Sequence, residues 1–430
     1  MGRPVSVPSQ NKNPTPRRHA LKFRNIALGT LLVLAVAGTA GWLSLDKETR
    51  ALLKTVPTNR DLLFWSVPQR DAAFRALDRI SLLAKWHVVP ASTAPSPLPP
   101  GPALTLPINV DTYMAEQRSA ALLILHDGKV RLERYGLGFD KDGRWTSFSV
   151  AKSFTSTLVG AALKDGFIQS LDDKVSAYIP DLKGSAYDDV SVRQLLTMTS
   201  GVRWNENYGD PNSDVARFNN HTPEAGVDAL VSYMRQLPRE APAGTRWLYS
   251  TGETNLVGIL VSQATKKPLA DYLAEKVWQP VGMEQQATWL LNKTGQEISG
   301  CCLQASARDF ARFGQFILNG ATVNGQSIVP DGWMADATTS RTPIGQPGRG
   351  YGYQWWTYDT GSFSARGIFG QGIFIDPARK LVIVSNANWA GGASEPVAFQ
   401  GREAFYRTVQ KAVDDEAAST SAGTAPAQKQ

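Results

Sequence analysis

An unbroken apolar run lies near the start of the chain, where Ile26–Leu45 holds twenty residues without a charge. As a helix it would measure about 30 Å, the thickness of the hydrocarbon layer of a bilayer. The run therefore predicts a transmembrane helix. The segment before it is basic and lacks acidic residues, so the positive-inside rule predicts a cytoplasmic N-terminus and an extracytoplasmic (periplasmic) body on the inner or cytoplasmic membrane. A cleaved signal peptide is the alternative, because Gly38–Ala40 has the small residues of a cleavage site.

Strand-like patterns stand near both ends of the remaining chain. The apolar-rich runs Ala120–His126 and Lys129–Tyr135 flank an Asp-Gly pair, which predicts a tight hairpin. Farther on, Gly372–Ile375 and Leu381–Ser385 flank a second turn and predict another antiparallel pair.

Helical patterns fill the middle. Capping-box starts at Ser191 and Ser306 and the proline at residue 268 predict helices, and Pro396–Val413 predicts one more. Strands at both ends with helices between them predict an α/β (α+β) fold, in which helices flank an antiparallel sheet and form an inserted subdomain.

These patterns divide the chain into five predicted parts. The proline-rich stretch Val89–Pro102 is expected to be an extended linker or a strap along the surface. The parts are a basic cytoplasmic leader (1–25), the transmembrane anchor or signal peptide (26–45), a helical and proline-rich linker region (46–103), the main domain (104–413) and a disordered tail (414–430).

The net charge excludes one class of partner. Of the formal charge of +7, six come from the leader, which leaves the rest of the chain close to neutral and without the basic surface of a nucleic-acid-binding protein. The leader charges are Arg3, Lys12, Arg17, Arg18, Lys22 and Arg24.

The cysteines and histidines indicate no cofactor and no metal. Cys301 and Cys302 are adjacent, and α-carbons about 3.8 Å apart across a trans peptide are poorly placed for a disulfide, so we expect free thiols. The four histidines are scattered and form no metal-ligand spacing.

A serine and a lysine supply the candidate chemistry. No Gly-x-Ser-x-Gly motif occurs, and nothing in the positions of the histidines points to a Ser-His-Asp triad. In "SVAKS", Ser149 and Lys152 are three residues apart, so a helix starting here places both on one face with the serine at its positive end. The spacing also occurs by chance in "SQNK" and "SLDK", but only Ser149 leads an apolar helical run, Phe154–Leu163. A helix cap followed by a lysine is the alternative interpretation.

A lysine base must be neutral to accept a proton. Shifting its pKa from about 10.4 to near 7 requires about 4 kcal/mol, which burial or a nearby positive charge can supply. Tyr249 in "GTRWLYSTGETN" can complete a proton relay, although such a tyrosine is more often a core aromatic.

Together these segments resemble the serine β-lactamase and penicillin-binding superfamily on its class C side. "SVAKS" is similar to its Ser-x-x-Lys element and "LYSTGETN" stands in the place of Tyr-x-Asn, while "VSVRQLLTMTSG", "LDDKVSAYIPDL" and "ASARDFARFG" resemble its connecting segments. Through "NENYGDP", "QWW" and "GIFGQGIFIDP" the chain resembles the aminohexanoate-dimer hydrolases and related esterases most closely. The resemblance implies a β-lactamase/transpeptidase-like fold.

The resemblance also implies roles for individual residues. Ser149 is the expected nucleophile, Lys152 its base and Tyr249 the acid/base toward the leaving group. The backbone N–H groups of Ser149 and Ile368 would form the oxyanion hole. The expected substrate-binding residues are Tyr208, Trp355, Thr251 and Gln371.

Two departures from the family pattern bear on the substrate. "FGQG" (Phe369–Gly372) replaces Lys/His-Thr-Gly, and Thr251 stands where asparagine is expected. Without that cationic position the usual partner of a β-lactam or peptidyl carboxylate is missing, which favours small amides or esters.

The sequence therefore predicts a membrane-anchored serine hydrolase that acts on a small-molecule amide or ester. A D,D-peptidase or β-lactamase is the alternative within the same class. A non-catalytic penicillin-binding-like sensor and a tethered structural protein are the alternatives outside it.

Overall fold

The computed structural model describes residues 1–2, 4–5, 17–55, 61–79 and 84–423. It divides into two units, Met1–Lys54 and Thr55–Gln430. The first unit holds helices α1 (Arg17–Ser44) and α2 (Lys47–Lys54). The segment Asn25–Ser44 of α1 is long and apolar enough to cross a membrane. This agrees with the helix expected over residues 26–45.

The second unit alternates strands and helices. Its strands are β1 (Trp86–Val89), β2 (Ser119–His126), β3 (Lys129–Tyr135), β4 (Trp145–Thr146), β5 (Ala287–Leu290), β6 (Leu303–Ala305), β7 (Thr322–Val323), β8 (Gln326–Ser327), β9 (Thr342–Pro343), β10 (Arg349–Tyr351), β11 (Trp356–Tyr358), β12 (Phe363–Arg366), β13 (Gly372–Asp376) and β14 (Leu381–Ala387). Its α-helices are α3 (Val67–Ala73), α4 (Val110–Glu116), α5 (Ala151–Lys164), α6 (Val175–Tyr178), α7 (Val192–Leu196), α8 (Asp214–Arg217), α9 (Ala229–Met234), α10 (Thr251–Thr265), α11 (Leu269–Leu273), α12 (Gln279–Val281), α13 (Ala307–Leu318), α14 (Trp333–Thr338) and α15 (Pro396–Gly423).

The main sheet joins the two ends of this unit. Its strand order is β3-β2-β14-β13-β12-β11-β10-β9, and every neighbouring pair is antiparallel. The hairpin of β2 and β3 turns at Asp127 and Gly128, with φ values of 48° and 74°. Both positive values suit the Asp-Gly pair. Both predicted hairpins are therefore confirmed, as is the mixed fold with one sheet built from both ends.

Two helices cover opposite faces of the main sheet, because side chains alternate along each strand. Phe374 and Ile383 share a buried cluster with Phe405 of α15. Their neighbours Ile373 and Val382 approach Gly314 of α13 so closely that a Cβ there would lie within 2.9 Å of both. The buried strands β13 and β14 are apolar on both sides for this reason.

A smaller sheet, which the sequence analysis missed, positions the start of α5. Its strand order is β1-β5-β6-β4. Strands of two to four residues carry too little periodicity to be recognised. The 3₁₀ turn Phe148–Val150 follows β4 closely and leads directly into α5.

The proline-rich stretch adopts the strap form. The backbone N–H of Gly101 donates to Val130, and that of Val130 donates to Pro99, both at 2.9 Å. The stretch thus covers the open edge of β3. At the other end, α15 continues to Gly423 and so enters the segment assigned to the tail, where Arg379 pairs with Asp414 at 2.8 Å.

The expectation of free thiols is wrong. Cys301 and Cys302 form a disulfide. The backbone at Cys302 has φ of 70°, in the left-handed region, and this local turn brings the two neighbouring sulfurs together.

Candidate active site

Ser149 lies in the middle of the 3₁₀ turn that precedes α5. The residue before it, Phe148, has φ of 42°, an uncommon value for a bulky side chain that marks a constrained turn. The Phe148 ring is buried and packs at 4.9 Å from the rings of both Phe74 and Phe369. This aromatic contact fixes the turn and leaves the Ser149 side chain at the wall of a cavity.

Lys152 stands one helical turn later and is 1% exposed. Its Nζ lies 3.2 Å from Ser149 Oγ, 3.0 Å from Thr251 Oγ1 and 2.7 Å from the carbonyl oxygen of Gly300. Burial lowers the pKa of Lys152 to about 8, and the nearby Glu206 carboxylate opposes that shift. The structure thus supplies the burial that a lysine base requires.

Tyr249 lies immediately before α10 and lines the same cavity. Its ring centroid is 5.3 Å from Lys152 Nζ. Burial raises the pKa of Tyr249 well above its usual value, and Glu206 adds to the rise. The phenol therefore keeps its proton near neutral pH and is suited to donate it.

Glu206 is a site residue that the sequence analysis did not select, although it falls inside the quoted "NENYGDP" segment. Its carboxylate accepts hydrogen bonds from the Thr251 hydroxyl, from the Thr251 backbone N–H at 2.9 Å and from Tyr208 Oη at 2.6 Å. Thr251 therefore lies between Lys152 and Glu206. A single acidic residue in a polar loop gives no sequence signal of such a contact.

The cavity beside Ser149 has a volume of about 310 Å³. The predicted binding residue Tyr208 and the predicted oxyanion-hole residue Ile368 both lie on its wall. Within the described residues, no backbone carbonyl accepts a hydrogen bond from the N–H of Ser149 or Ile368. The lining residues are Ser149, Tyr208, Tyr249, Gln346, Trp356, Arg366, Gly367, Ile368, Trp389, Ala393, Phe399 and Arg402.

Trp355 and Gln371, by contrast, do not lie on the cavity wall. Trp355 is 1% exposed and packs on Phe363, whereas its neighbour Trp356 faces the cavity, since successive side chains point to opposite sides. Gln371 uses both polar atoms to hold its own loop, accepting from the N–H of Phe369 and donating to the carbonyl of Ala387. The expectation of pocket contacts for these two residues is wrong.

Thr251, the last of the expected binding positions, is also absent from the cavity wall. Its hydroxyl is buried between Lys152 and Glu206. Its place in the structure is beside the predicted proton relay. Among the described residues, no group of three or more histidine, cysteine or acidic side chains is arranged to hold a metal ion.

A serine on a constrained turn, a buried lysine one helical turn later and a protonated tyrosine beside them are the parts of a serine hydrolase that uses no histidine. Comparison with known proteins agrees with that class. Residues 109–404 match the family described as Beta-lactamase. The chain belongs to this family.

Two curated relatives that the chain resembles are named as hydrolases. The chain is 30% identical over 303 residues to the 6-aminohexanoate-dimer hydrolase of Paenarthrobacter ureafaciens, which covers 65% of this chain and 75% of that protein. It is also 30% identical to a beta-lactamase of Pseudomonas fluorescens, over 41% of this chain and 48% of the relative.

Solved structures share the fold at lower identity. A Bacillus anthracis protein provisionally named 6-aminohexanoate-dimer hydrolase superposes with a TM-score of 0.68 at 22% identity, covering 80% of this chain and 94% of that one. A penicillin-binding protein from Bacillus halodurans gives 0.55 at 17% identity, covering 69% and 99%. The β-lactamase-like fold expected from the sequence is therefore confirmed.

Proposed function

We propose that this protein hydrolyses an amide or ester bond through an acyl-enzyme on Ser149. The observation that carries the proposal is the 3.2 Å contact between Ser149 Oγ and the Nζ of a lysine that is 1% exposed. A lysine with a pKa of about 8 is neutral in about one molecule in ten at pH 7, enough to act as a base.

The proposed reaction has two halves. Neutral Lys152 takes the proton of Ser149 as Oγ attacks the substrate carbonyl, and Tyr249 gives its proton to the leaving amine or alcohol. Lys152 then returns a proton to Tyr249. In the second half neutral Lys152 takes a proton from a water molecule as the water attacks the acyl-enzyme, and the relay returns that proton to Ser149 Oγ as the acid leaves.

The backbone N–H groups of Ser149 and Ile368 are the proposed oxyanion hole. Ser149 and Ile368 both line the cavity, and no backbone acceptor competes for either group within the described residues. One such donor contributes about 10² to 10³ in rate.

The proposed substrate is a small linear amide or ester. The likeness to a 6-aminohexanoate-dimer hydrolase, whose name describes a dimer of a small amino acid as substrate, supports this choice. Gln371 stands near the place of the family's recognition motif, but it is uncharged and its side chain bonds to the backbone of its own loop, so it does not supply the cation that binds a β-lactam carboxylate.

We further propose that α1 is a single-pass anchor that holds the catalytic body outside the cytoplasm. The apolar length of Asn25–Ser44 supports an anchor, and the basic leader supports this orientation.

The test of the hydrolase is covalent labelling with a fluorophosphonate, read by intact mass and peptide mapping. We expect one adduct, on Ser149, and none in Ser149→Ala or Lys152→Ala. Lys164→Ala, which changes an exposed lysine on the same helix, is the matched control and should label normally. An adduct on another serine, or normal labelling of Lys152→Ala, would contradict the proposed mechanism.

A further inference from the structure

The cavity beside Ser149 has a cationic wall that the proposed mechanism does not use. Arg366, the last residue of β12, and Arg402, in the second turn of α15, both line it. The two residues are far apart in sequence and neither belongs to a motif, so the pairing is visible only in the folded chain.

Arg402 is buried, and within the described residues two of its nitrogens lack a hydrogen-bond acceptor. It is 3% exposed, and neither its Nε nor its Nη1 has a hydrogen-bond acceptor within the described residues. In the same part of the chain no carboxylate forms an ion pair with it. Its guanidinium lies over the rings of Trp389 and Phe399, at 4.7 and 5.4 Å from their centroids. An arginine stays charged at any physiological pH, and an uncompensated buried charge is strongly unfavourable, so the site is built to receive an anion.

The neighbouring arginines share one carboxylate. Arg349 donates to Glu403 at 2.9 Å, and Arg366 Nη2 lies 3.7 Å from the other oxygen of Glu403. The guanidiniums of Arg349, Arg366 and Arg402 all lie within 5.4 Å of the Phe399 ring centroid. Two of these three guanidiniums share the Glu403 carboxylate and, within the described residues, no carboxylate pairs with Arg402, so the wall keeps a positive excess.

Much of the remaining wall is aromatic. Trp356, Trp389 and Phe399 line the cavity, and the buried indole Nε1 of Trp389 also has no acceptor among the described residues. A ligand that fits must therefore combine an apolar chain with an anionic end that accepts several hydrogen bonds. A carboxylate matches the planar fork of a guanidinium and the modest size of the cavity.

We propose that the hydrolase selects amides or esters that carry a free carboxylate, which binds Arg402 with support from Arg366. This inference rests on the proposed function, since it assigns a substrate class to the same site. It also revises the expectation drawn from "FGQG": this chain lacks the family's cationic position on the sheet, yet its cavity is cationic by way of β12 and α15.

The experiment compares matched esters with and without a carboxylate. One pair is mono-4-nitrophenyl glutarate and 4-nitrophenyl valerate, with the acid on the acyl part. The other pair is 3-acetoxybenzoate and its methyl ester, with the acid on the leaving part. We expect kcat/KM to favour the carboxylate member of at least one pair by about tenfold or more, as a good charge-assisted contact would give.

Arg402→Gln should reduce that ratio to about one, whereas Arg407→Gln, at an exposed arginine of the same helix, should preserve it. The proposal is overturned if the unaltered protein shows equal kcat/KM for the two members of both pairs. It is also overturned if Arg402→Gln keeps the preference for the carboxylate member. Failure of the hydrolase itself is a separate outcome, because it would appear as undiminished turnover of all four esters by Ser149→Ala.

A binding measurement keeps the proposal testable if Arg402→Gln does not fold. In Ser149→Ala, hexanoate should raise the melting temperature more than hexanamide at equal concentration and ionic strength. Equal shifts would overturn the proposal, and a larger shift with inorganic phosphate would overturn the carboxylate in favour of a phosphorylated substrate.

Discussion

The protonation of Lys152 is set by two opposing influences at the scale of single residues. Burial lowers the pKa of the amine to about 8, while Glu206, reached through the hydroxyl of Thr251, raises it. Since the proposed base is the neutral amine, log kcat/KM should rise with pH and level off near pH 8. A pH profile of kcat/KM on a neutral ester measures this rising limb, because kcat/KM reports the pKa of groups in the free enzyme. A limb below pH 6 would mean that a different group is the base.

Replacing Glu206 with glutamine removes the negative charge that holds the pKa of Lys152 up. The pH limb of kcat/KM should therefore move to lower pH, by about one unit, as expected for a charge acting through one intervening residue. Glu116→Gln, at an exposed glutamate on α4, is the control and should leave the limb in place. A shift to higher pH would show that Glu206 does not act on the lysine electrostatically.

The residues that the sequence analysis identified and those it missed differ in how local their signals are. Ser149 and Lys152 lie on one turn of helix, so a short motif contains their contact. Arg366 on β12 and Arg402 on α15 both line the cavity although they are distant in sequence, so no short motif contains the two of them. The prediction that Trp355 lines the pocket missed by one residue: its neighbour Trp356 lines the cavity, because a shift of one residue moves a side chain to the opposite face.

At the scale of elements, α10 carries a buried acid in its first turn. Glu253 follows the N-cap Ser250, is 2% exposed and contacts the hydroxyls of Ser200 and Tyr187. Burial raises the pKa of Glu253 to about 8 from 4.5. The folded protein then keeps this proton up to about pH 8, whereas the unfolded chain releases it near pH 4.5.

The stability of the protein should therefore fall as pH rises from about 4.5 to 8, because the folded state binds more protons than the unfolded state over that window. The full shift corresponds to at most about 5 kcal/mol. Glu253→Gln should lose less stability over that range than the unaltered protein, as measured by urea unfolding at pH 5 and pH 8. Glu275→Gln, at a surface glutamate, serves as the control. An identical pH dependence in Glu253→Gln would show that the acid is ionised in the folded state.

Elements with strong turn or capping chemistry were predictable, and short ones were not. The Asp-Gly hairpin and the capping box at Ser191 each specify their geometry within a few residues. Strands β4 and β6 pair only through Trp145–Ala305 and Thr146–Gln304, partners that are distant in sequence. Such strands exist because tertiary contacts stabilise them, so their own residues carry little information.

At the scale of the whole molecule, the chain divides into an N-terminal unit that contains the apolar helix α1 and a second unit whose main sheet contains strands from both of its ends. The cavity, the serine and the arginines all belong to the second unit. Catalysis should therefore be independent of α1. A protein lacking residues 1–45 should keep its kcat/KM for a neutral ester within about twofold, a difference in barrier of less than 1 kcal/mol.

The same deletion should change where the protein is found. The intact chain should sediment with membranes, resist extraction by high salt and dissolve in detergent, because an apolar helix of about 20 residues inserts stably whereas charge attraction is screened by salt. The shortened protein should remain in the supernatant.

Intact mass of the membrane-bound form separates an anchor from a cleaved signal peptide: an anchor retains the leader, whereas cleavage after Ala40 removes it and releases the body. Recovery of the intact, uncleaved chain in the soluble fraction would contradict both, and would mean that α1 packs against protein rather than lipid.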